Sequence, residues 1–237
     1  MNVSVVIATY NRSGELRTCL LRLARQRFQP GDEVVVADNA STDDTQEVLR
    51  QISAGFPVPL LTVLEPKPGK THAVHRALGS CRGDIIAFTD DDVLVGEDWI
   101  ERIKEVFADG RVDLAGGRVL PNFAGPVPAW LDLSGGEGFG RLASPLGLAD
   151  YGPTRQPLGT RSALGGNLVV RRAALDAVGG FPRDLGKLRG TLLSGEDHAL
   201  SERMVGSGYE AIYDPAMLVH HLVPASRLRF RYFIRWF

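Results

Sequence analysis

Four short apolar runs, each leading into a helical pattern, constrain this chain more than any other feature of its sequence. They are Val3-Ser-Val-Val-Ile-Ala8, Glu33-Val-Val-Val-Ala37, Leu60-Leu-Thr-Val-Leu64 and Ile85-Ile-Ala-Phe88. Runs rich in β-branched residues with little alternation are the pattern of parallel strands buried on both faces. Leu16, Leu20, Leu23 and Ala24 recur at helical spacing after the first run, and Val48, Leu49 and Ile52 after the second. Ser41 and Asp44 read as a capping box opening that second helix. Further helices are expected from Lys70 to Ser80 and from about Glu97 to Phe107. Repeated strand–helix units give an α/β fold: a Rossmann-like, mostly parallel sheet with helices on both faces.

In such sheets ligands bind beyond the carboxyl ends of the strands. The residues at those ends are polar: Thr9-Tyr10-Asn11, Asp38-Asn39 and Asp90-Asp91-Asp92. Three consecutive carboxylates at the exit of a core strand repel one another, and folding gains nothing from them. A divalent cation relieves that repulsion, and hard oxygen ligands suit Mg²⁺ or Mn²⁺. Mg²⁺ takes one or two protein carboxylates and fills its other positions with water and substrate phosphates, so the run points to a metal–diphosphate site. Gly-x-Gly-x-x-Gly does not follow the first strand, and no Walker A sequence occurs.

The 237 residues suit one large domain or a domain with a subdomain. A net charge of −1 gives no bulk attraction to nucleic acid. Two cysteines, Cys19 and Cys81, make neither a metal spacing nor a disulfide framework and suit a reducing compartment. Met1 leads directly into a strand and no apolar run is long enough to span a bilayer, so a cytoplasmic protein is expected. Between Pro121 and Thr160 glycine and proline are dense, with Trp130, Phe139 and Tyr151 among them. Such a stretch is expected to be a long functional loop that orders over a ligand. Regular structure should resume with a strand at Asn167-Leu-Val-Val170, a helix near Arg172 to Val178, and another from Glu196 with Ala199, Leu200 and Met204 inward.

Five segments together resemble glycosyltransferase family 2, the GT-A fold of nucleotide-sugar enzymes. They are Ser4-Val-Val-Ile-Ala-Thr-Tyr-Asn-Arg12, Val35-Val-Ala-Asp-Asn-Ala-Ser-Thr-Asp43, Gly83-Asp-Ile-Ile-Ala-Phe-Thr-Asp-Asp-Asp92, Gly165-Gly-Asn-Leu-Val-Val-Arg-Arg172 with Gly179-Gly-Phe181, and Gly195-Glu-Asp197. The resemblance implies an inverting transfer from a nucleotide-diphosphate sugar, a UDP-sugar first, to a glycan, lipid or small-molecule hydroxyl. It implies a nucleotide-binding half at 1–118, an acceptor-side catalytic half of the same domain at 119–226, and a tail at 227–237. Thr9, Tyr10, Asn11 and Arg12 would frame the base and ribose, and Asp38 would accept hydrogen bonds from the base. Asp90 would lie near the ribose and Asp92 on the metal, with Asp91 assisting. Asp197 would be the general base with Glu196 as its neighbour and competitor. Gly165, Gly166 and Asn167 would line the acceptor cleft.

Where family members commonly carry Ala-Arg-Asn on the third helix, this chain reads Ala73-Val74-His75, then Arg76. Lys70, just after Gly69, is the substitute for the missing diphosphate cation, with Arg76 as the other candidate. His221, ahead of His220, is the expected metal or diphosphate contact in Val219-His-His-Leu-Val-Pro-Ala-Ser-Arg227. The tail to Phe237 mixes arginines with aromatics, which suits either an anionic membrane surface or packing against the domain. Two other classes share parts of this pattern. A sugar-nucleotide-forming nucleotidyltransferase would want a glycine-rich basic loop where Thr9-Tyr10-Asn11-Arg12 stands. A non-catalytic nucleotide-sugar binder would have no use for Asp197.

Overall fold

The computed structural model describes residues 1–135, 138–139, 141–182, 185 and 195–236. Four parallel strands form its first half: β1 (Val3–Thr9), β2 (Glu33–Asp38), β3 (Leu60–Leu64) and β4 (Ile85–Asp90). Helices α1 (Ser13–Leu23), α2 (Thr45–Ser53) and α3 (Lys70–Leu78) connect them. After β4 come β5 (Val93–Val95), α4 (Trp99–Phe107) and the long β6 (Leu114–Phe123). A two-residue hairpin, β7 (Ser134–Gly135) with β8 (Gly138–Phe139), and the short β9 (Gln156–Pro157) follow. The chain ends with β10 (Leu168–Arg171), α5 (Arg172–Ala177), α6 (Glu196–Gly206), β11 (Ala211–Val223) and α7 (Phe230–Trp236). The large sheet runs β3-β2-β1-β4-β10-β6-β11-β5, with β9 on β11. β10 is antiparallel to both β4 and β6, so the parallel order of the first half gives way to a mixed second half.

Period-two alternation along the strands divides the core between the two faces. Val3, Val5 and Ile7 of β1 join Leu16, Leu20 and Leu23 of α1 and Trp99, Ile100 and Ile103 of α4. Val6 faces the other way, with Ala73 and Ala77 of α3, Leu175 of α5, and Leu200 and Met204 of α6. The edge strand β3 is only partly buried, as its position at the end of the sheet requires.

Register then places the chemistry. Thr9 pairs with Asp38 and Ala8 with Asp90, so three parallel strands deliver their polar ends to one rim.

Three local expectations are corrected. α2 begins at Thr45, and its first turn is served by Asp43, whose Oδ1 accepts from the Thr45 amide at 3.1 Å and from the Thr45 hydroxyl at 2.5 Å. Ser41 instead accepts the Asn11 amide at 2.9 Å, tying two loops together. Asn167, expected in the acceptor cleft, is fully buried. Its Oδ1 accepts the Trp99 indole N–H at 2.9 Å, and its Nδ2 donates to the carbonyls of Met217 at 2.6 Å and Arg118 at 3.1 Å. It satisfies the backbone where β6 and β11 diverge around a bulge between Asp214 and Leu218.

The stretch from 121 to 160 is not a structureless loop either, although residues 136, 137 and 140 lie outside the description. β6 continues to Phe123, Val119 bridges Ala149, and a 3₁₀ helix spans Arg141–Leu146. Leu131, Ala143, Leu146 and Leu148 form a third core with Val223, Leu228 and Phe233. This core also receives the tail: Leu228 and Phe233 are buried in it, and Trp130 packs edge-on against Phe233 at 5.2 Å.

Candidate active site

Two adjoining cavities open at the carboxyl ends of the strands. The first, of about 190 Å³, is lined by Thr9, Tyr10 and Arg12 after β1, Asn39 after β2, Gly69 and Lys70 at the start of α3, and Asp90, Asp91 and Asp92. The second, of about 290 Å³, is lined by Gly165, Glu196, Asp197, His198, His221 and Arg227, with Tyr151, Tyr232 and Trp236 on its far side. Lys70 and Asp90 belong to both linings, and their ion pair at 2.6 Å is where the cavities meet.

Each acid of the trio has a different environment. Asp90 is held by Lys70. Asp91 accepts from the Thr9 hydroxyl at 2.8 Å and from Arg12 at 2.9 Å. Burial and the neighbouring Asp92 outweigh those contacts and push the Asp91 carboxyl up to about 6. Asp92 faces Arg12 at 2.6 Å, His221 Nε2 at 3.4 Å and Arg227 at 3.6 Å. Burial alone would raise its pKa, but the His221 hydrogen bond and the Arg12 and Arg227 guanidiniums hold it well below the usual carboxylate range. His221 is fixed on its other side by a 2.6 Å contact from Nδ1 to the Leu146 carbonyl. Arg12 and Lys70 answer in kind: burial would lower both, and their carboxylate neighbours raise them instead, so both stay cationic.

On the far side of Lys70, α6 opens with Gly195 in the left-handed region, at φ 115°. Glu196 and Asp197 thus occupy the first turn, near free backbone N–H groups and the positive end of the helix. Asp197 Oδ2 accepts the Gly165 amide at 2.7 Å. Burial raises the Asp197 carboxyl to about 6, with Lys70 pulling down and Glu196 pushing up. Glu196 is buried, and its Oε2 has no hydrogen-bond partner among the described residues. A cleft containing a poised carboxylate, a fixed ammonium and an unsatisfied buried acceptor can bind polar hydroxyls and take a proton from one.

Gly165 is required by close approach. A Cβ added there would lie 2.8 Å from Asp197 Oδ1 and 3.0 Å from Oδ2. The carboxylate is the free end of a side chain and can move aside, so Gly165→Ala should fold normally with a displaced Asp197. Misplacing a reacting group by about 1 Å costs on the order of 10²-fold in rate. Turnover of Gly165→Ala should fall by that order while its melting temperature and nucleotide binding stay near wild type, as kinetics and thermal unfolding would show.

Most of the residues expected on sequence gather here: Thr9, Tyr10, Arg12, Lys70, Asp90, Asp91, Asp92, Glu196, Asp197 and His221. Asn11 and Asp38 do not line either cavity. Asn11, at φ 50°, accepts the Thr42 amide at 2.6 Å, and buried Asp38 accepts the Ser41 amide at 2.9 Å and the Gln46 side chain. Both knit the loops behind the first cavity. Arg76 is absent from both linings, so of the two candidates on the third helix it is Lys70 that stands beside the trio, at Asp90, while Arg12 and Arg227 meet the other two acids. His75 contacts the Phe181 carbonyl at 2.9 Å, away from the site.

Asn39, placed by the sequence at the polar end of its strand but given no role, donates its amide to the carbonyls of Glu65 and Lys67 and accepts the Gly69 amide on Oδ1, fixing the start of α3. Sequence reasoning missed His198, 2.6 Å from the Ser162 hydroxyl, and counted Arg227 with the tail. The adjacency of His198 to Asp197 was the only available signal for the former.

Comparison with known proteins decides the family. Residues 4–179 match the profile of Glycosyl transferase family 2. The chain belongs to glycosyltransferase family 2. Its relatives include glycosyltransferase AglE of Haloferax volcanii, 29% identical over 89% of this chain and 64% of that protein. The pre-mycofactocin glycosyltransferase of Mycobacterium tuberculosis is 27% identical over 93% of this chain and 42% of that protein. The chain thus spans less than two thirds of the length of these relatives. Among solved structures, mannosyltransferase PcManGT from Pyrobaculum calidifontis, in complex with GDP-Man and Mn²⁺, superposes with a TM-score of 0.71 at 24% identity, covering 99% of this chain and 62% of that one. S. aureus TarS 1–349 in complex with UDP-GlcNAc gives 0.65 at 20% identity, covering 94% and 58%. The fold is therefore the GT-A fold of this family.

The acid trio also bears on a metal. Its donors are hard carboxylate oxygens, and among the described residues no three His, Cys, Asp or Glu side chains converge into a ready-made cage. That set fits an ion of the Mg²⁺ or Mn²⁺ type that takes one or two carboxylates and completes its sphere with diphosphate and water.

Proposed function

We propose that this chain transfers a sugar from a nucleotide-diphosphate sugar to an acceptor hydroxyl with inversion at the anomeric carbon. The observation that carries the reading is the meeting of the two cavities at the Lys70–Asp90 pair, with the acid trio on one side and Asp197 on the other. In this reading the first cavity receives the nucleotide, between Thr9, Tyr10 and Asn39. The donor sugar then sits beside Lys70, and the acceptor enters through the second cavity. Asp197 takes the acceptor's hydroxyl proton as that oxygen forms its bond to the anomeric carbon and the bond to the diphosphate breaks. Lys70 places a fixed positive charge next to the departing phosphate oxygens, in a site whose dipoles are already arranged. Asp90 and Asp92, with His221 as a further candidate contact, would hold a divalent ion, which would supply further neutralisation of the leaving diphosphate. The Mn²⁺ bound with GDP-Man in PcManGT supports a metal of this kind.

The test is thermal unfolding with a panel of nucleoside diphosphates, UDP and GDP first, with and without Mn²⁺. Binding at 100 times Kd stabilises by about 2.7 kcal/mol, roughly a 5–10 °C shift for a chain of this size. A shift that requires both nucleotide and Mn²⁺ is expected. No shift with any nucleoside diphosphate would remove the donor assignment. Pyrophosphate release from a nucleoside triphosphate and a sugar phosphate would make the protein a nucleotidyltransferase instead.

A further inference from the structure

α7 divides its side chains between two environments. Tyr232 and Trp236 line the second cavity, and the Tyr232 hydroxyl donates to the Pro145 carbonyl at 2.8 Å. Phe233 is buried in the third core. Phe230 and Ile234, one turn apart, are 61% and 62% exposed. Trp130, itself 40% exposed, extends this apolar surface by packing edge-on against Phe230 at 5.5 Å. Arg229, Arg231 and Arg235 are exposed around it. No acid occurs after Asp214, although the chain as a whole carries a net charge of −1. A molecule without net positive charge has therefore gathered cations around its exposed aromatics.

We propose that this face of α7, turned away from the side that carries Tyr232 and Trp236, rests on an anionic membrane surface. Aromatic and aliphatic side chains with arginines on their flanks are the composition that partitions into the headgroup region. A second copy of the chain suits the patch less well, because a two-fold contact would bring the same three arginines face to face. Among the described residues no helix is long and apolar enough to cross a membrane.

Co-sedimentation of the whole chain with phosphatidylcholine vesicles, with and without phosphatidylglycerol, tests the proposal. Binding is expected only to the anionic vesicles and should weaken as salt rises. Reversing Arg229, Arg231 and Arg235 to Glu should reduce partitioning by roughly 100-fold or more. Phe230→Ser with Ile234→Ser should also release the protein, and both variants should melt as wild type does because these side chains are exposed. Vesicles with brominated acyl chains should quench wild-type tryptophan fluorescence more than that of Trp130→Phe. Absence of vesicle binding, or binding indifferent to the arginines, overturns the proposal. So does a wild-type dimer that Phe230→Ser with Ile234→Ser dissolves. Mn²⁺-dependent stabilisation by nucleotide, measured without vesicles, separates the two readings. Retained stabilisation without vesicle binding overturns the membrane face alone, and vesicle binding without any nucleotide effect overturns the transfer reading alone.

Discussion

Asp197→Asn is expected to lower turnover by a factor of roughly 10² to 10⁴, the usual cost of losing a general base. The substitution leaves the local structure in place. An asparagine Oδ1 can accept the Gly165 amide that now reaches Asp197 Oδ2 at 2.7 Å. Nucleotide binding across the Lys70–Asp90 pair should therefore persist. Stability should not fall either. Burial raises the Asp197 carboxyl from its ordinary value of 3.8 to about 6. The ionised form is thus disfavoured in the folded state, and that penalty is fully present above pH 6. It fades as pH drops from 6 toward 3.8, where both folded and unfolded chains carry the proton. Asn removes the penalty, so the variant should melt at or above the wild type at pH 7.5, with the difference closing below pH 6. The same shift predicts that wild-type turnover declines as pH falls through about 6, since a protonated Asp197 cannot accept the acceptor's proton. Near-normal turnover in folded Asp197→Asn would transfer the role to Glu196, whose unpartnered Oε2 lies in the same cleft.

How far the sequence anticipated this site depends on whether each residue's partner is local or distant. The four parallel strands were legible because burial on both faces leaves only apolar β-branched residues, a signal independent of the rest of the chain. The convergence of Thr9, Asp90 and Asp91 followed from those strands, because parallel registration carries polar ends to one rim. Asp38 shows where this logic stops. A carboxylate after a strand serves a ligand or the next turn equally well, and only the fold reveals that the Ser41 amide and Gln46 bond to it. Asn167 is the same case in reverse: the family resemblance put it in a cleft, but its partners Trp99 and Met217 are distant in sequence. The stretch from 121 to 160 was illegible because its order is tertiary. Its short pieces form no periodic pattern, and Leu131, Ala143, Leu146 and Leu148 find their core only when Val223 and Phe233 arrive from the far end of the chain. Arg227 could be placed at Asp92 only once β11 was known to run beside β5 and return the chain to the rim.

Asp92→Asn should abolish the Mn²⁺-dependent part of nucleotide binding and also weaken the fold, and the two effects are separable. Asp92 is the anion shared by Arg12, His221 and Arg227, of which His221 and Arg227 have side chains only 8% and 14% exposed. Removing the shared anion leaves those two facing a neutral amide in a poorly solvated site. Arg12 loses less, because it is 39% exposed and keeps Asp91 at 2.9 Å. Breaking a fully buried pair costs about 3–5 kcal/mol, so with this partial compensation roughly 2–3 kcal/mol is expected here. For a chain of this size that lowers the melting temperature by about 5–10 °C. The fold should survive, because Asp92 belongs to the rim and not to either main core. In the folded variant Mn²⁺ should no longer add to stabilisation by nucleoside diphosphate, because one of the two proposed carboxylate ligands is gone. Asp90→Asn should show the same loss with a smaller drop in melting temperature, since Lys70 there retains the nearby charges of Asp197 and Glu196. If Mn²⁺ stabilises wild type, Asp90→Asn and Asp92→Asn equally in the presence of nucleotide, the ion is held elsewhere. The trio would then be an ion-pair network that positions Lys70 and Arg12.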